Sequence, residues 1–391
     1  MNKMKTYIPT QEDPAGIYVH IPFCIKKCSY CDFFSITDLS YTDNFIRALI
    51  QEMSMIRKDS LQFDTLYIGG GTPSLLDVRP VNQIIGAAHQ FFEMLPDTEI
   101  TMEINPGTAN LDRLKGYQDA GVNRINVGVQ SFQLENLKFL GRLHSSKDAE
   151  RVIKHAQQAG FMNIGLDLIY GIPGQTPKAW LNDLKTATDL GPDHLACYML
   201  TYEAGTPLAR NLQTGRFRPM PEGLSADLFE TTISFLNDAG YVHYEISNFA
   251  RSTSNEFEPK RSRHNQKYWS FVPYLGLGPS AHSFIEPIRW WNYRSVKNYI
   301  QELEAGRLPL EDREVLTSEQ RMLEAIYLGL RQADGINING FHRRFGVHFT
   351  DIFEKTIADL KKRRFITMTR NRCALTRKGM LFLDSIASMF V

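Results

Sequence analysis

The sequence predicts an α/β protein, a complete or partial (β/α) barrel followed by a C-terminal helical unit with the layout of a winged helix. Short β-rich runs alternate with longer helical runs from residue 16 to about residue 200. A helix-ending pattern recurs along the same region, and after residue 316 helices precede a small hairpin. The length of 391 residues suits two or three domains of roughly 100–200 residues each.

Six β-rich segments make up the predicted sheet. The stretches between them are long enough for helices, as over residues 41–57 and 148–159. Strands that alternate with helices imply βαβ units, so we expect a parallel sheet. The six segments are Ile17–Ile21, Thr65–Ile68, Glu99–Ile104, Arg124–Val129, Asn163–Ile169 and His194–Leu200.

A weak internal repeat supports the barrel. An Ala-Gly pair followed by an apolar residue occurs at Ala120-Gly121, Ala159-Gly160 and Ala239-Gly240. Glycine accepts the left-handed conformation that ends a helix, so each pair predicts a helix end followed by a strand. The three glycines are 39 and 80 residues apart, about one and two units of a (β/α) barrel.

The C-terminal region predicts a separate unit. Thr317-Ser-Glu-Gln320 is a capping box, and apolar residues follow it at helical spacing. A second helix is predicted around Ile357, and Ile366–Thr369 with Cys373–Thr376 predicts a hairpin. We therefore expect four regions. They are a tail over residues 1–15, a partial barrel of six βα units over 16–215, an extension of that barrel over 216–310 and a winged-helix-like domain over 311–391.

Two further segments have a marked composition. Residues 251–267 are polar and basic, which predicts a mobile loop, whereas residues 379–391 are apolar and predict a packed helix. The formal charge of +1 gives no global basic field, so we expect no nucleic-acid partner. No apolar core of a signal peptide and no run of about 20 uncharged apolar residues is present, so we expect a cytoplasmic protein.

The five cysteines are unevenly spaced. Cys24, Cys28 and Cys31 lie within one short segment after the first predicted strand, while Cys197 and Cys373 stand alone in predicted strands. Three crowded cysteines in an odd total favour a metal site over disulfides. Three thiolates on one loop suit a four-iron, four-sulfur (4Fe-4S) cluster with one iron left open for another ligand. A zinc site completed by His20 is the weaker alternative.

Polar groups follow five successive predicted strands. After the cysteine loop of the first strand come the glycine-rich turn at Gly69–Pro73, then Glu103, then Gln130 with Arg142, and finally Asp167. The active site of a (β/α) barrel lies at the carboxyl ends of its strands. The sequence therefore predicts a ligand site at this end, in which glycines let backbone N–H groups approach a ligand.

Four motifs resemble the oxygen-independent coproporphyrinogen III oxidase family of radical S-adenosylmethionine (SAM) proteins. They are Tyr18-Val-His20-Ile-Pro-Phe-Cys24, Gly69-Gly-Gly-Thr72-Pro-Ser74, Gly128-Val-Gln130-Ser-Phe132 and Gly165-Leu-Asp167-Leu-Ile-Tyr-Gly-Ile-Pro173. The resemblance implies a radical-SAM barrel in which SAM chelates the open iron.

The resemblance also implies a set of cofactor-binding residues. Tyr18, Gly70 and Glu103 are expected to contact the cluster-bound SAM. A second ligand region, which holds another SAM in true oxidases, is expected around Gly71, Thr72, Gln130, Arg142 and Asp167. Tyr30, inside the cysteine loop, is assigned to the same cofactor-binding set.

Two departures separate this chain from true oxidases. Those enzymes carry a fourth cysteine where Phe33 stands here, and a longer segment than the 23 residues that precede Cys24. His264-Asn265-Gln-Lys-Tyr268-Trp269 resembles instead the signature of HemW-type haem chaperones within the same family. That resemblance implies haem as a ligand and haem-accepting respiratory enzymes at the membrane as partners, with a homodimer possible. Oxidation of coproporphyrinogen III is the alternative function.

His264 is the candidate axial ligand of haem iron, with Tyr268 and Trp269 beside the macrocycle. His282 is the rival ligand. The cations expected to pair with the haem propionates are Lys260, Arg261, Arg263 and Lys267. A third function class, a redox-sensing DNA-binding protein, would use the basic run at residues 361–364 with Arg370 and Arg372.

Overall fold

The structure is a computed structural model that describes residues 13–56, 61–252 and 259–390. Residues 1–12 of the expected N-terminal tail and residues 253–258 of the basic segment lie outside the described residues. The four-part division of the chain stays a prediction.

Six parallel strands form the centre of the fold, as predicted. Along the first strand, Ile17, Val19 and Ile21 are fully buried on one face, and Gly16, Tyr18 and His20 alternate with them. This period of two places the apolar core outside the curved sheet and leaves smaller and polar groups inside it. The strands are β1 (Ala15–Ile21), β2 (Gln62–Gly70), β3 (Glu93–Ile104), β4 (Arg124–Gln130), β5 (Ile164–Tyr170) and β6 (His194–Met199).

Helices lie between and after these strands, and most of their apolar faces join the main hydrophobic core, while Leu140 and Leu208 belong to a smaller cluster. The helices expected at 41–57 and 148–159 are present as the first and fifth of the set. The set is α1 (Thr42–Met55), α2 (Val78–Phe91), α3 (Leu111–Asp119), α4 (Leu134–Leu140), α5 (Ser146–Gln158), α6 (Pro177–Asp189), α7 (Pro207–Gln213) and α8 (Glu222–Asp238).

The sheet continues past both ends of the parallel strands, so the barrel is open. The strand order is β12-β11-β10-β9-β1-β2-β3-β4-β5-β6-β8-β7, and β9 runs parallel to β1. The added elements are β7 (Tyr241–Glu245), β8 (Asn248–Arg251), α9 (Arg263–Trp269), β9 (Tyr274–Leu277), β10 (His282–Ile285), β11 (Ile288–Asn292), α10 (Val296–Glu304) and β12 (Leu310–Val315).

The C-terminal unit combines helices with a small sheet of order β13-β15-β14. The capping box forms as predicted, because the Thr317 and Gln320 side chains each bond to the other residue's backbone N–H. The predicted hairpin is also present. The elements are α11 (Ser318–Arg331), β13 (Ile336–Asn337), α12 (Ile338–Phe345), α13 (Phe349–Ile352), α14 (Glu354–Lys362), β14 (Ile366–Met368), β15 (Arg372–Leu375), α15 (Arg377–Met380) and α16 (Leu383–Ala387).

Two local expectations are wrong. The segment expected as a loop up to residue 267 contains α9, which buries His264 and Lys267. The packed helix expected over residues 379–391 is divided into α15, α16 and a short 3-10 turn, although it does pack through Leu383 and Ile386. Within the described part of the chain, no helix is long and apolar enough to cross a lipid bilayer.

The three predicted Ala-Gly helix ends are confirmed. Gly121, Gly160 and Gly240 follow the last residues of α3, α5 and α8 with φ of 109°, 95° and 85°. This left-handed conformation costs other residues about 1–2 kcal/mol, so glycine is the residue suited to these positions.

Replacing Gly240 with alanine isolates that conformational cost, because no described atom lies within 4 Å of where its Cβ would stand. We expect Gly240→Ala to lower the free energy of unfolding by about 1–2 kcal/mol. Gly223→Ala, in equally open space within α8, should leave it unchanged or raise it by about 0.5 kcal/mol. Chemical denaturation followed by circular dichroism measures both, and equal effects would contradict the argument.

Candidate functional site

The cysteine loop lies at the carboxyl end of β1, and hydrogen bonds close its base. The Cys24 N–H donates to the Ile36 carbonyl at 2.9 Å, and the Ile36 N–H donates to the Pro22 carbonyl at 2.7 Å. All three loop cysteines, Cys24, Cys28 and Cys31, are partly exposed. The loop therefore presents three thiols to one side while its ends stay fixed to the sheet.

Two neighbouring side chains contact the loop thiols. The Thr72 hydroxyl donates to the Cys24 sulfur at 3.5 Å, and Nη1 of Arg142 donates to the Cys28 sulfur at 3.6 Å. These contacts join the thiols to the ends of β2 and β4.

The zinc alternative with His20 does not fit the geometry. The His20 Nδ1 atom lies 3.0 Å from the Tyr18 hydroxyl, and its Nε2 atom lies 2.8 Å from the Phe34 carbonyl. Burial lowers the pKa of His20 to about 4. Across the described ranges, no group of three or more His, Cys, Asp or Glu side chains is arranged around a single ion. Three thiols on one loop remain suited to a cluster, which spreads its ligands over several irons.

The glycine-rich turn after β2 lies against the backbone of β1. A Cβ on Gly70 would come within 2.7 Å of the His20 ring, and one on Gly71 within 2.6 Å of the Phe23 carbonyl. Gly70 also has φ of 112°. Side chains are therefore excluded here, and the backbone stays open toward the pocket.

Glu103 lies at the carboxyl end of β3, beside this turn. One carboxylate oxygen accepts from the Tyr67 hydroxyl at 2.9 Å, and the other accepts from the Gly70 N–H at 3.1 Å. Burial, followed by the charge of Asp167, raises the pKa of Glu103 to about 7, although both hydrogen bonds oppose this. The carboxylate is thus held in place but has no cationic partner among the described residues.

Asp167 lies across the same pocket on β5. Both of its carboxylate oxygens are 2.7 Å from the amide nitrogen of Asn126, and burial raises its pKa to about 6. Arg142 opposes that rise in pKa. Two carboxylates with raised pKa values in one pocket favour a ligand that carries positive charge.

Arg142 connects the second predicted ligand region to the thiol loop. Its Nη2 atom donates to the Gly128 carbonyl at 2.9 Å and to the Asn105 side chain. Its Nε atom is buried without a hydrogen-bond partner in the described structure. Gln130, next to this group, has φ of 65°, so the end of β4 bends sharply. Arg142 therefore has a donor available for a ligand.

Tyr30 lies within the cysteine loop and packs against the small apolar cluster that contains Leu140 and Ile169. Burial raises its pKa, and Arg142 opposes that rise. The pKa of Tyr30 also responds to the charges of Cys28, Cys31 and Asp167. Tyr30 is therefore close to both the thiols and the pocket. The structure thus brings the predicted set together, apart from the haem-motif residues.

Two pocket residues were missed from the sequence: Tyr67 and Asn126. Tyr67 and Asn126 occupy inner positions of β2 and β4, in register with Tyr18 and Glu103 respectively. The period of two that defines the strands could have identified both. Asn105, two residues after Glu103, donates to the Thr72 hydroxyl at 3.1 Å.

The haem-motif histidine lies deep in the fold. His264 is 1% exposed, with Nδ1 2.8 Å from the Thr65 hydroxyl and Nε2 2.9 Å from the Tyr268 hydroxyl. Its ring stacks on Tyr67 with 5.2 Å between centroids. Burial lowers the pKa of His264 to about 3. In this arrangement neither ring nitrogen is presented to a ligand.

The four cations of the same segment pair with aspartates. The ion pairs are Lys260–Asp193 at 3.1 Å, Arg261–Asp334 at 3.6 Å, Arg263–Asp97 at 3.0 Å and Lys267–Asp64 at 2.5 Å. Arg263 and Lys267 thereby hold α9 against β3 and β2. Lys260 and Arg261, just before α9, pair with aspartates next to β6 and in the C-terminal unit. Haem contact by His264 or by these cations stays a prediction, one that requires α9 to leave this place.

The rival ligand, His282, is exposed at the start of β10. Its ring stacks on Trp291 of β11, with 5.5 Å between centroids and 25° between planes.

A half-barrel that carries a three-cysteine loop and a carboxylate-lined pocket at its strand ends has the features of a radical SAM protein. The family model of the radical SAM superfamily matches residues 18–187, and that of the HemN C-terminal domain matches residues 316–382. The E. coli structure described as coproporphyrinogen III oxidase (HemN), a radical SAM enzyme, has a TM-score of 0.82 at 25% identity. That match covers 96% of this chain and 90% of the other.

Curated relatives identify the family within the radical SAM superfamily. Heme chaperone HemW of Bacillus subtilis is 33% identical, over 96% of this chain and 98% of the relative. Heme chaperone HemW of Escherichia coli K12 is 32% identical, over 97% and 98%. The chain belongs to the HemW family of radical SAM proteins.

Thiol labelling tests the exposure of the loop. In metal-free, reduced protein we expect iodoacetamide to modify Cys24, Cys28 and Cys31 and to spare Cys197 and Cys373, which are 3% and 0% exposed. Mass spectrometry of the peptides locates the label, and denatured protein serves as the control in which all five react. Labelling of Cys197 as fast as that of the loop would contradict the structure.

Proposed function

We propose that this protein is a haem chaperone that binds haem and passes it to haem-dependent respiratory enzymes of the membrane. The observation that carries the proposal is the alignment with relatives named heme chaperone HemW over nearly all of both chains. Phe33 supports it. This side chain is 64% exposed beside the thiol loop, at the position where oxidases of the wider family carry a further cysteine.

A 4Fe-4S cluster and SAM belong to the proposal as bound cofactors. Cys24, Cys28 and Cys31 would hold the cluster, which supplies an electron to SAM when both are bound. The half-buried Glu103 would accept hydrogen bonds from the ribose or amino group of SAM. Its orientation is already fixed by Tyr67 and the Gly70 N–H.

The second ligand region would act from the opposite wall of the pocket. Arg142 has a buried Nε donor without a partner among the described residues, which suits a carboxylate. Asp167 offers carboxylate oxygens that Asn126 orients. Because Asp167 raises the pKa of Glu103, the two walls face one shared pocket.

The remaining parts of the proposal rest on the family resemblance. They are the respiratory acceptor enzymes, a cytoplasmic location and a possible homodimer. The winged-helix-like unit is proposed to act without nucleic acid.

Parallel assays on one anaerobically reconstituted sample test the function. We expect titration with ferric haem to shift the Soret band at about one haem per chain, and coproporphyrinogen III to stay unconverted in the presence of SAM and a reductant. Cluster-free protein and haem with albumin are the controls. Anaerobic formation of protoporphyrinogen without haem binding would establish the oxidase alternative instead.

Tyr67→Phe tests how Glu103 is held. The Tyr67 hydroxyl donates a hydrogen bond that lowers the pKa of Glu103. Without this hydrogen bond, that pKa rises above about 7, so a smaller fraction of the carboxylate is ionised at pH 7. We expect SAM affinity at pH 7 to fall about threefold to tenfold and to approach that of the wild type near pH 8.5.

Isothermal calorimetry across this pH range measures the effect. The other ionisable groups that act on Glu103 or its tyrosine partner are Tyr18, Asp167 and Tyr198, and the variant leaves them in place. Tyr117→Phe, which removes a buried hydroxyl bonded to the Leu76 carbonyl, is the matched control. A loss of affinity that is the same at every pH would show that Tyr67 supports only the fold.

A further inference from the structure

The inner face of the half-barrel continues beyond β1 onto β9 and β10. Gly276 of β9 is the register partner of Tyr18 of β1. A Cβ on Gly276 would come within 2.1 Å of the His282 carbonyl oxygen. The missing side chain therefore lets the start of β10 lie directly against β9, and His282 lies two strands from Tyr18, with β9 between them.

His282 is free to bind a ligand where His264 is not. Its side chain is exposed, and neither of its ring nitrogens makes a hydrogen bond to the described residues. Stacking on Trp291 fixes the plane of the imidazole. Partial burial, followed by Arg289, lowers the pKa of His282.

Arg294 contacts the thiol loop at Asp32. Its Nη2 atom donates to the Asp32 carbonyl at 3.1 Å and lies 3.7 Å from the Asp32 carboxylate, and the side chain remains about half exposed. Arg294 acts electrostatically on both His20 and His282, so it is near each of them. Next to Asp32, the exposed ring of Phe33 adds an apolar surface.

An exposed imidazole, the indole ring stacked on it and a half-exposed guanidinium match the three parts of a haem. These parts are an iron that takes an axial nitrogen, a flat apolar macrocycle and two carboxylates. The α9 segment offers the same residue types, but its histidine is buried and hydrogen-bonded at both nitrogens.

We propose that His282 is the axial ligand of haem iron, oriented by Trp291, and that Arg294 pairs with a haem propionate. The proposal rests on the proposed haem-binding function and assigns its site. His264 is then a structural residue that anchors α9 beneath the pocket.

Titration of the full-length, cluster-reconstituted protein with ferric haem tests the assignment. For His282→Ala we expect an affinity at least about tenfold weaker and loss of the histidine-ligated signature in the Soret band and electron paramagnetic resonance. Added imidazole should restore that signature in the complex that elutes with the protein. His89→Ala, which removes an exposed histidine from α2, is the matched control and should bind as the wild type does.

Two further variants separate ligation from other effects. Arg294→Gln should weaken haem binding about threefold without changing the ligation signature. His264→Gln should lower thermal stability but keep the wild-type spectrum. The assignment is overturned if His282→Ala keeps the wild-type spectrum and affinity, or if His264→Gln alone loses the signature. A wild-type protein that shows no Soret shift overturns the haem function itself.

Discussion

The inner face of the half-barrel is the constraint on which the rest of the structure depends. Because the apolar core lies between the sheet and the outer helices, the inner positions are occupied by groups such as Tyr67 and Glu103 rather than by aliphatic side chains. Buried polar groups are costly unless each finds a partner. The hydrogen bonds across this face therefore determine the pocket and the fold together.

Electrostatics follow from the same constraint. Glu103 and Asp167 share a pocket in which burial raises both pKa values, to about 7 and about 6. The buried cation beside them, Arg142, is also directed at the Cys28 sulfur and the Gly128 carbonyl. A positively charged ligand in this pocket would lower both pKa values and favour the ionised carboxylates.

Local patterns were sufficient for the six strands and for the thiol loop, because alternation and cysteine spacing depend on neighbours in the sequence. They were insufficient for α9. Its basic composition indicated an exposed loop, yet Lys267 is buried against Asp64, about 200 residues earlier in the chain. A pairing over such a separation has no local signal. Strands β9 to β12 were not predicted for a related reason. Each depends on its neighbours in the sheet more than on the alternation of its own apolar and polar residues.

The position of α9 has a consequence for the order of folding. The contact between Thr65 and His264 spans 199 residues, and Gln332 of the C-terminal unit donates to the Trp269 carbonyl at the end of α9. Contacts this distant form late, and during synthesis they wait for the later residues to leave the ribosome. The six parallel strands thus leave the ribosome before α9 can cover the part of the sheet that it contacts. A growing chain would expose Tyr67 and its neighbours to solvent until α9 is synthesised and packs against them. During this period the incomplete barrel is open to binding by chaperones and to cleavage by proteases.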